Sequence, residues 1–321
     1  MNNDLWQPSA TIQTLHKRGK MLAEIRRFFF RREVLEVDVP VLSQAAVSDP
    51  FIDSLVVEYR HFVEDDPISY YLQSSPEYAM KRLLAAGSGC IYQMAKVFRN
   101  GEIGHRHNPE FTMLEWYRLG LDEQQLMDEV SDLITAVTDI KNFRRISYRQ
   151  AFVEYLGLDI VSASDSLLAQ TMREHIEVSG DYDTDGWLNL LFSHCIEPQL
   201  KGAVFIYDYP ASQAALAKVK IDAEGVAVAA RFELFIDGVE LANGYHELTD
   251  SEEQARRFSA DLQQRKLLKL PQRPVESRLV TALAQGMPEC AGVALGFDRL
   301  LMLALGKGHI KEVLPFDITR A

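Results

Sequence analysis

The sequence predicts an α+β fold, an antiparallel sheet flanked by helices. Two strand–turn–strand stretches, residues 90–119 and Val226–Asn243, predict the sheet, because strands joined by short connections pair antiparallel. Apolar residues at helical spacing in Thr11–Arg32 and Leu121–Thr138 predict the flanking helices. Apolar residues fill 47% of 321 positions, enough for one large core or a core with a small inserted lobe.

Residues 1–10 read as a loose lead-in with no apolar segment of the signal-peptide kind. In Thr11–Arg32 the apolar stripe is Leu15, Met21, Leu22, Ile25, Phe28 and Phe29. Lys17, Arg18, Lys20, Arg26, Arg27, Arg31 and Arg32 take the other face, which reads as solvated; a docking surface for an acidic partner is the alternative. Val34–Leu42 reads as a strand with Pro40 at its edge or end. Phe51–Tyr59 and Tyr70–Leu72 read as further strands. Ser75 as N-cap, Pro76 at the first helical position and Glu77 in the first turn predict a helix to about Ala86. Taken alone, Glu77 there complements the helix dipole.

Val97–Tyr117 reads as a strand, a ten-residue polar loop and a second strand. With its flanks Arg99 and Glu110, the loop holds two His, two Arg and two Glu. Alternation puts Phe111, Met113, Glu115 and Tyr117 on one face. A cation, an aromatic plate, a carboxylate and a phenol on one surface suit a charged planar ligand better than a core. In Leu121–Thr138, residues Leu126, Val130, Leu133, Ile134 and Val137 point inward. Residues 140–200 read as three helical stretches beside the sheet, with Trp187 and His194 structural.

Val204–Tyr207 reads as a short strand, and Asp237-Gly238 as the two-residue turn of the second hairpin. In that register Ile236 pairs with Val239 and Phe235 with Glu240. Glu233 then shares the face of Glu240 as a diagonal neighbour, roughly 7–8 Å away between backbones. Two such carboxylates either face water or share a cation, for which a hard divalent ion is the natural candidate. Helices follow at Ser251–Leu268 and Glu276–Gln285, with Pro271–Pro274 as linker. Gly292, Ala294 and Gly296 alternate, so one strand face is almost flat; a ligand against the backbone or close helix packing would each require that. Arg299 opens the last helix, where the dipole disfavours a cation unless an anion is bound.

The net charge of −12, from 46 acidic and 34 basic residues, argues against non-specific polyanion binding while leaving room for a local basic patch. Cys90, Cys195 and Cys290 are widely spaced and form no CxxC pair, so they read as reduced cytosolic thiols with no zinc site. No apolar run has the length of a membrane span.

Several tracts occur in a telling order. The first is the helix and strand ending at Pro40. The second is Phe98-Arg99 through Arg106-His107-Asn108-Pro109-Glu110-Phe111-Thr112-Met113, and the third is Gly292–Arg299. RFELFIDGVELANGYHEL stands between the second and third. From about residue 15 onward they resemble the class II aminoacyl-tRNA synthetase catalytic core, most closely that of lysyl-tRNA synthetase. The resemblance implies one catalytic domain over residues 1–321. Motif 1, the dimer-forming segment, covers about 15–42 and motif 2 about 91–119. The helical insertion covers about 140–200 and motif 3 about 291–305. Only a dozen or so residues precede motif 1, so no anticodon-binding domain and no tRNA anticodon recognition are expected. Ala294 replaces a family glycine. These features, with WQPSA, SPEY, YPASQA and GMPECAGVALG, are similar to truncated lysyl-tRNA synthetase paralogues that modify a translation factor. That similarity implies a cytoplasmic, homodimeric ligase with no membrane association. It would activate (R)-β-lysine with ATP and Mg²⁺ and transfer it to a lysine ε-amine of translation elongation factor P.

Residue by residue, the resemblance implies Arg99 and Arg299 as the catalytic arginines, on the α-phosphate with the substrate carboxylate and on the γ-phosphate. Phe111 and Arg299 would flank the adenine. Asn100, His107 and Asn108 would add nucleotide contacts, and Gly296 and the backbone near Leu241 would line ribose and phosphates. Glu233 and Glu240 match the metal ligands. Glu247 with Tyr117 would hold the ε-ammonium. Glu77 and Glu115, with Ser75, Pro76 and Asn243 nearby, would hold the other amine, and Ala294 would favour the β-isomer. The family reads Arg-Asn-Glu in motif 2, whereas this chain reads Arg99-Asn100-Gly101-Glu102. Glu102 either takes over that ATP contact after a loop shift or the contact is lost. Rivals on the same core are an asparagine-forming ligase and an enzyme charging a tRNA minihelix with lysine. A non-catalytic paralogue is disfavoured because both arginines are present.

Overall fold

The structure, a computed structural model, describes residues 6–321; the first half of the expected lead-in, residues 1–5, lies outside them. In chain order the elements are α1 (Ile12–Phe30), β1 (Leu35–Glu36), β2 (Leu42–Ser43), β3 (Val56–Tyr59), β4 (Ile68–Leu72), α2 (Glu77–Ala85), β5 (Ile91–Phe98) and β6 (Glu110–Leu119). There follow α3 (Glu123–Val137), β7 (Phe143–Ser147), α4 (Tyr148–Leu156), α5 (Asp165–His175), α6 (Thr184–Leu191), β8 (Ala203–Pro210) and β9 (Val219–Ile221). The last are β10 (Ala227–Ile236), β11 (Val239–His246), α7 (Ser251–Leu267), α8 (Ser277–Gly286), β12 (Cys290–Gly296) and α9 (Phe297–Ala304). They fall into two compact units. One runs to Gly120 and resumes over Ala136–Asp139 and Thr249–Ala321; the other holds Leu121–Thr135 and Ile140–Leu248.

In the first unit the strand order is β1-β5-β6-β12, antiparallel except for the edge strand β1, which runs parallel to β5. Helix α1 starts where the Thr11 hydroxyl accepts from the Thr14 N–H at 3.1 Å. Its buried stripe, Met21, Ile25, Phe28 and Phe29, covers one sheet face. Phe29 stacks on Tyr92 with ring centroids 4.3 Å apart and meets Trp116 edge-on at 5.4 Å. Tyr92 and Trp116 are cross-strand partners, and the residues beside them, Gln93 and Glu115, also oppose each other. Period two therefore turns Glu115 away from the helix side.

The expected strand over Val34–Leu42 is instead two short ones. Leu35–Glu36 joins β5, and Leu42–Ser43 joins a separate small sheet in the order β2-β4-β3. Pro40 has no N–H to give a ladder. Just before it, the Val39 N–H is satisfied by the side-chain Oε1 of Gln93 at 3.1 Å. The strand expected from Phe51 begins only at Val56. Upstream, the Asp49 carboxylate accepts from the Phe51 N–H at 2.7 Å and turns the chain. Helix α2 starts one residue later than expected, with Pro76 and not Ser75 as its N-cap, and the Ser75 hydroxyl still accepts from the Glu77 N–H at 3.0 Å.

In the second unit the strand order is β11-β10-β8-β7, with β9 on β10. Strand β7, parallel to β8, sits where only helices were expected. In FRRIS the two arginines and one buried residue, Ile146, hide any apolar alternation. The three helices α4 to α6 do form, and they pack on the sheet through Tyr148, Phe152, Leu168, Trp187, Phe192 and Ile206. Trp187 is core, whereas His194 is exposed in a π-helical turn over Phe192–Ile196.

Asp237 and Gly238 have φ of 49° and 70°, as a tight primed hairpin turn requires. A Cβ on Gly238 would lie 2.7 Å from the Glu197 carbonyl, so only glycine fits. The pairs Ile236–Val239 and Phe235–Glu240 form as expected. A bulge then intervenes, leaving Leu241 unpaired, so that Glu233 opposes Asn243. Cys90, Cys195 and Cys290 form no disulfide. Among the described residues no helix is long and apolar enough to cross a membrane.

Candidate active site

The first unit brings the motif 2 residues together on β6 and its loop. Across β6 and β12, Tyr117 opposes Gly292, Glu115 opposes Ala294 and Met113 opposes Gly296. The small-residue face of β12 therefore lies alongside the row of chemically active side chains; alternation predicts each face, and the pairing of the two strands brings them together. Glu115 is 2% exposed and accepts from the Ser75 hydroxyl at 2.8 Å and the Tyr117 hydroxyl at 2.6 Å. Ser75 thus joins the N-terminus of α2 to the centre of β6. Glu77, in the first turn of α2, pairs with Lys81, which is 1% exposed, at 2.6 Å across one helical turn.

Arg99 begins the polar loop. Its N–H bonds the Pro109 carbonyl at 2.9 Å, which closes the loop. Its guanidinium lies 5.3 Å from the Phe111 ring centroid, and its buried Nε has no hydrogen-bond partner on the protein. Gly101 has φ of 78°, a conformation that favours glycine, and the turn brings Glu102 back to 3.6 Å from Arg99. The motif departure thus sets a carboxylate beside the guanidinium. Arg299 places Nη2 2.7 Å from Nε2 of His107; with the guanidinium donating, the imidazole accepts as a neutral ring. Asn108 is 6% exposed, and its side-chain amide bonds the Glu110 carbonyl at 2.6 Å and the Ile318 N–H at 3.0 Å. Those two bonds use one N–H and one lone pair of the amide.

One expectation for α1 is corrected. Arg18 does not belong to a solvated basic face. Its side chain is 11% exposed and forms an ion pair with Asp298, which is itself 1% exposed. Arg18 also donates to the Thr112 hydroxyl at 2.8 Å, and Asp298 accepts from the Thr112 N–H at 2.6 Å. The chain neighbours of this buried group are Phe111 and Arg299, so one carboxylate ties together the backbones carrying both. The sequence hid this because Arg18 and Asp298 are 280 positions apart.

In the second unit, Glu233 and Glu240 line one cavity of about 330 Å³, together with Tyr148, Tyr209, Arg231 and Phe235. Glu233 accepts from the Tyr209 hydroxyl at 2.8 Å, is ion-paired with Arg231 and receives Nδ2 of Asn243 at 3.3 Å. Burial pushes its carboxyl up to about 7; Arg231 opposes that rise and the neighbouring Glu240 adds to it. Tyr209 and Arg231 were not singled out in the sequence, although both stand in tracts that carry the resemblance.

Among the described residues no group of three or more His, Cys, Asp or Glu could enclose a metal ion. A pair of glutamates is nonetheless what Mg²⁺ uses, since it keeps several waters and takes one or two carboxylates plus substrate phosphates. Asn243 Oδ1, beside the pair, is buried with no hydrogen-bond partner on the protein, an acceptor suited to a cation or an N–H donor. The residues fit such an ion.

Leu241 is 2% exposed at the bulge and Glu247 is 1% exposed just beyond β11. Glu123, at the start of α3, helps fix this strand end. It pairs with Lys220 and lies 3.5 Å from Nδ1 of His246, while Lys220 also reaches Asp208 at 2.9 Å. Burial pushes the Glu123 carboxyl up, but His246 and Lys220 outweigh it and hold the carboxyl down at about 2.

The family model for tRNA synthetases class II (D, K and N) matches residues 4–320. Curated relatives named elongation factor P–(R)-β-lysine ligase are similar along nearly their whole length. The one from Photorhabdus laumondii is 50% identical, with 98% of each chain covered. Those from Pasteurella multocida and Yersinia enterocolitica are each 48% identical, again with 98% of each chain covered. The chain belongs to the class II tRNA synthetase family, within its group of elongation factor P–(R)-β-lysine ligases.

Proposed function

We propose that this protein activates (R)-β-lysine with ATP and transfers the lysyl group to a lysine ε-amine of elongation factor P. The observation that carries the reading is the Ser75–Glu115–Tyr117 array beside the flat row of β12, on the same hairpin as Arg99. A buried carboxylate held by hydroxyls suits an ammonium group, and a nearby guanidinium suits a phosphate.

In the first step the amino-acid carboxylate attacks the α-phosphate and pyrophosphate leaves. Two anions must meet, so cationic groups dominate the catalysis. Arg99 steadies the α-phosphate and the carboxylate, and ATP displaces Glu102 from its side. Arg299 holds the γ-phosphate and covers the adenine, whose other face rests on Phe111. His107, Asn100, Gly296 and the Leu241 backbone complete the nucleotide contacts. Glu233 and Glu240 would hold Mg²⁺, which supplies charge neutralisation at the phosphates. Glu247 with Tyr117 takes the ε-ammonium, and Glu77 and Glu115, with Ser75, Pro76 and Asn243 nearby, take the other amine. Ala294 opposes Glu115 in the sheet, so its methyl bears on where an amine next to Glu115 can sit. In the second step the target lysine attacks the mixed anhydride and AMP leaves.

The exposed Phe30 and Leu35, at the end of α1 and on edge strand β1, support a homodimer through motif 1. A translation-factor substrate supports a cytoplasmic location. ATP–pyrophosphate exchange with (R)-β-lysine, α-lysine and asparagine tests the reading. Exchange with the β-amino acid in preference to the other two is expected; no exchange with any of them would sink it.

A further inference from the structure

The loop that carries Arg99 is held from outside the hairpin by a residue in none of the family tracts. Asp53 lies in the turn region before β3. Its Oδ2 accepts from the Asn100 side-chain amide at 2.9 Å, and its carbonyl accepts from the Asn100 N–H at 2.9 Å. The other carboxylate oxygen accepts from Arg273 at 2.9 Å, and Arg265 stands 3.7 Å from it. These arginines are fixed in turn. Arg265, 1% exposed on α7, donates to the Pro271 carbonyl at 3.1 Å and the Asp49 carbonyl at 2.8 Å. The Arg273 guanidinium lies 5.5 Å from the Tyr71 ring centroid. Asp53 is thus anchored on one side and grips Asn100 on the other.

Asn100 stands between Arg99 and Gly101. Gly101 has no side chain and adopts φ of 78°, so nothing at that position fixes the turn, and glycine gives the open loop more freedom than any other residue. We propose that Asp53 is a positioning residue for nucleotide binding: through Asn100 it fixes the turn that aims Arg99. The proposal rests on the reading of Arg99 as a phosphate ligand. Misplacement of a positioning group by about 1 Å costs up to about 10²-fold in rate; a loop loosened at one anchor should lose less.

The test compares wild type, Asp53→Ala, Asp53→Asn, Asn100→Ala and the Asp53→Ala/Asn100→Ala double variant. ATP Kd comes from calorimetry, which needs no turnover, and KM for ATP and for (R)-β-lysine from pyrophosphate exchange. Asp53→Ala should weaken ATP by about tenfold in Kd and KM, with the β-lysine KM within about twofold of wild type. Asp53→Asn, which keeps an acceptor for Asn100, should recover part of the loss. In the Asn100→Ala background, Asp53→Ala should add nothing. Unchanged ATP Kd in Asp53→Ala, an equal rise in both KM values, or losses that multiply in the double variant would each overturn the role of Asp53. Wild-type protein that binds ATP but shows no exchange would instead overturn the functional reading, and the ATP Kd would still decide on Asp53.

Discussion

Each unit is organised around one hairpin, and the two are built differently. β5 and β6 keep an unbroken register from Ile91–Tyr117 to Phe98–Glu110 and are joined by a long polar loop. β10 and β11 are joined by two residues, and their register breaks at Leu241. In the first hairpin strict alternation lines up Met113, Glu115 and Tyr117, and the loop supplies the cations. In the second a bulge is needed, because Glu240 and Asn243 are an odd number of positions apart and would otherwise face opposite sides. Glu115 accepts from the hydroxyls of Ser75 and Tyr117, and Glu233 accepts from the Tyr209 hydroxyl and is ion-paired with Arg231.

The sharpest way to break this contrast is at the cations of the first hairpin and its neighbour α9. Arg299→Ala should lower pyrophosphate exchange by about 10³-fold while melting temperature and oligomeric state stay as in wild type. Retained exchange would remove Arg299 from the phosphates. Glu115→Gln comes next, with kcat/KM for (R)-β-lysine falling by about 10²-fold and KM for ATP nearly unchanged. An equal loss for both substrates would mean that Glu115 serves the fold and not the amine.

The second hairpin can be probed by acid. Glu123 has its carboxyl held at about 2, against an ordinary value near 4.5. Its ion pair with Lys220 therefore contributes fully above pH 4.5, and the contribution is lost as pH falls toward 2, where the folded form also takes up the proton. The contribution is of order 3 kcal/mol. Glu123→Gln should lose about that much stability at neutral pH and flatten the acid limb of a denaturation curve. An unchanged limb would show that the β11 end is fixed by other contacts. The smallest effect is expected at Ala294. Ala294→Gly should shift the ratio of α-lysine to β-lysine use by a few-fold to about tenfold, the lower end of the about 1–3 kcal/mol that one methylene is worth in a pocket. An unchanged ratio in competitive exchange would take Ala294 out of the specificity account.

What could be read ahead of the structure follows from how far each signal reaches along the chain. Face assignments on β6, β12 and the Asp237-Gly238 turn were legible because alternation and turn chemistry are local. The bulge at Leu241 was not, since nothing in GVELAN marks where the ladder breaks. Strand β7 was hidden by Arg144 and Arg145, and the split of residues 34–42 depends on which neighbour each half meets. Arg18 looked like one more surface charge because its partner Asp298 stands at the far end of the chain. Asp53 was passed over for the same reason: its meaning lies in Asn100, Arg265 and Arg273, which only folding brings to it.

The central claim is that the activated amino acid goes to a protein amine. Purified enzyme should be incubated with ATP, Mg²⁺, radiolabelled (R)-β-lysine, elongation factor P and bulk tRNA together. Acid-stable, alkali-resistant label on one lysine of elongation factor P, with none on tRNA, is the predicted result. Label that is removed by ribonuclease or mild alkali, with elongation factor P unmodified, would contradict it.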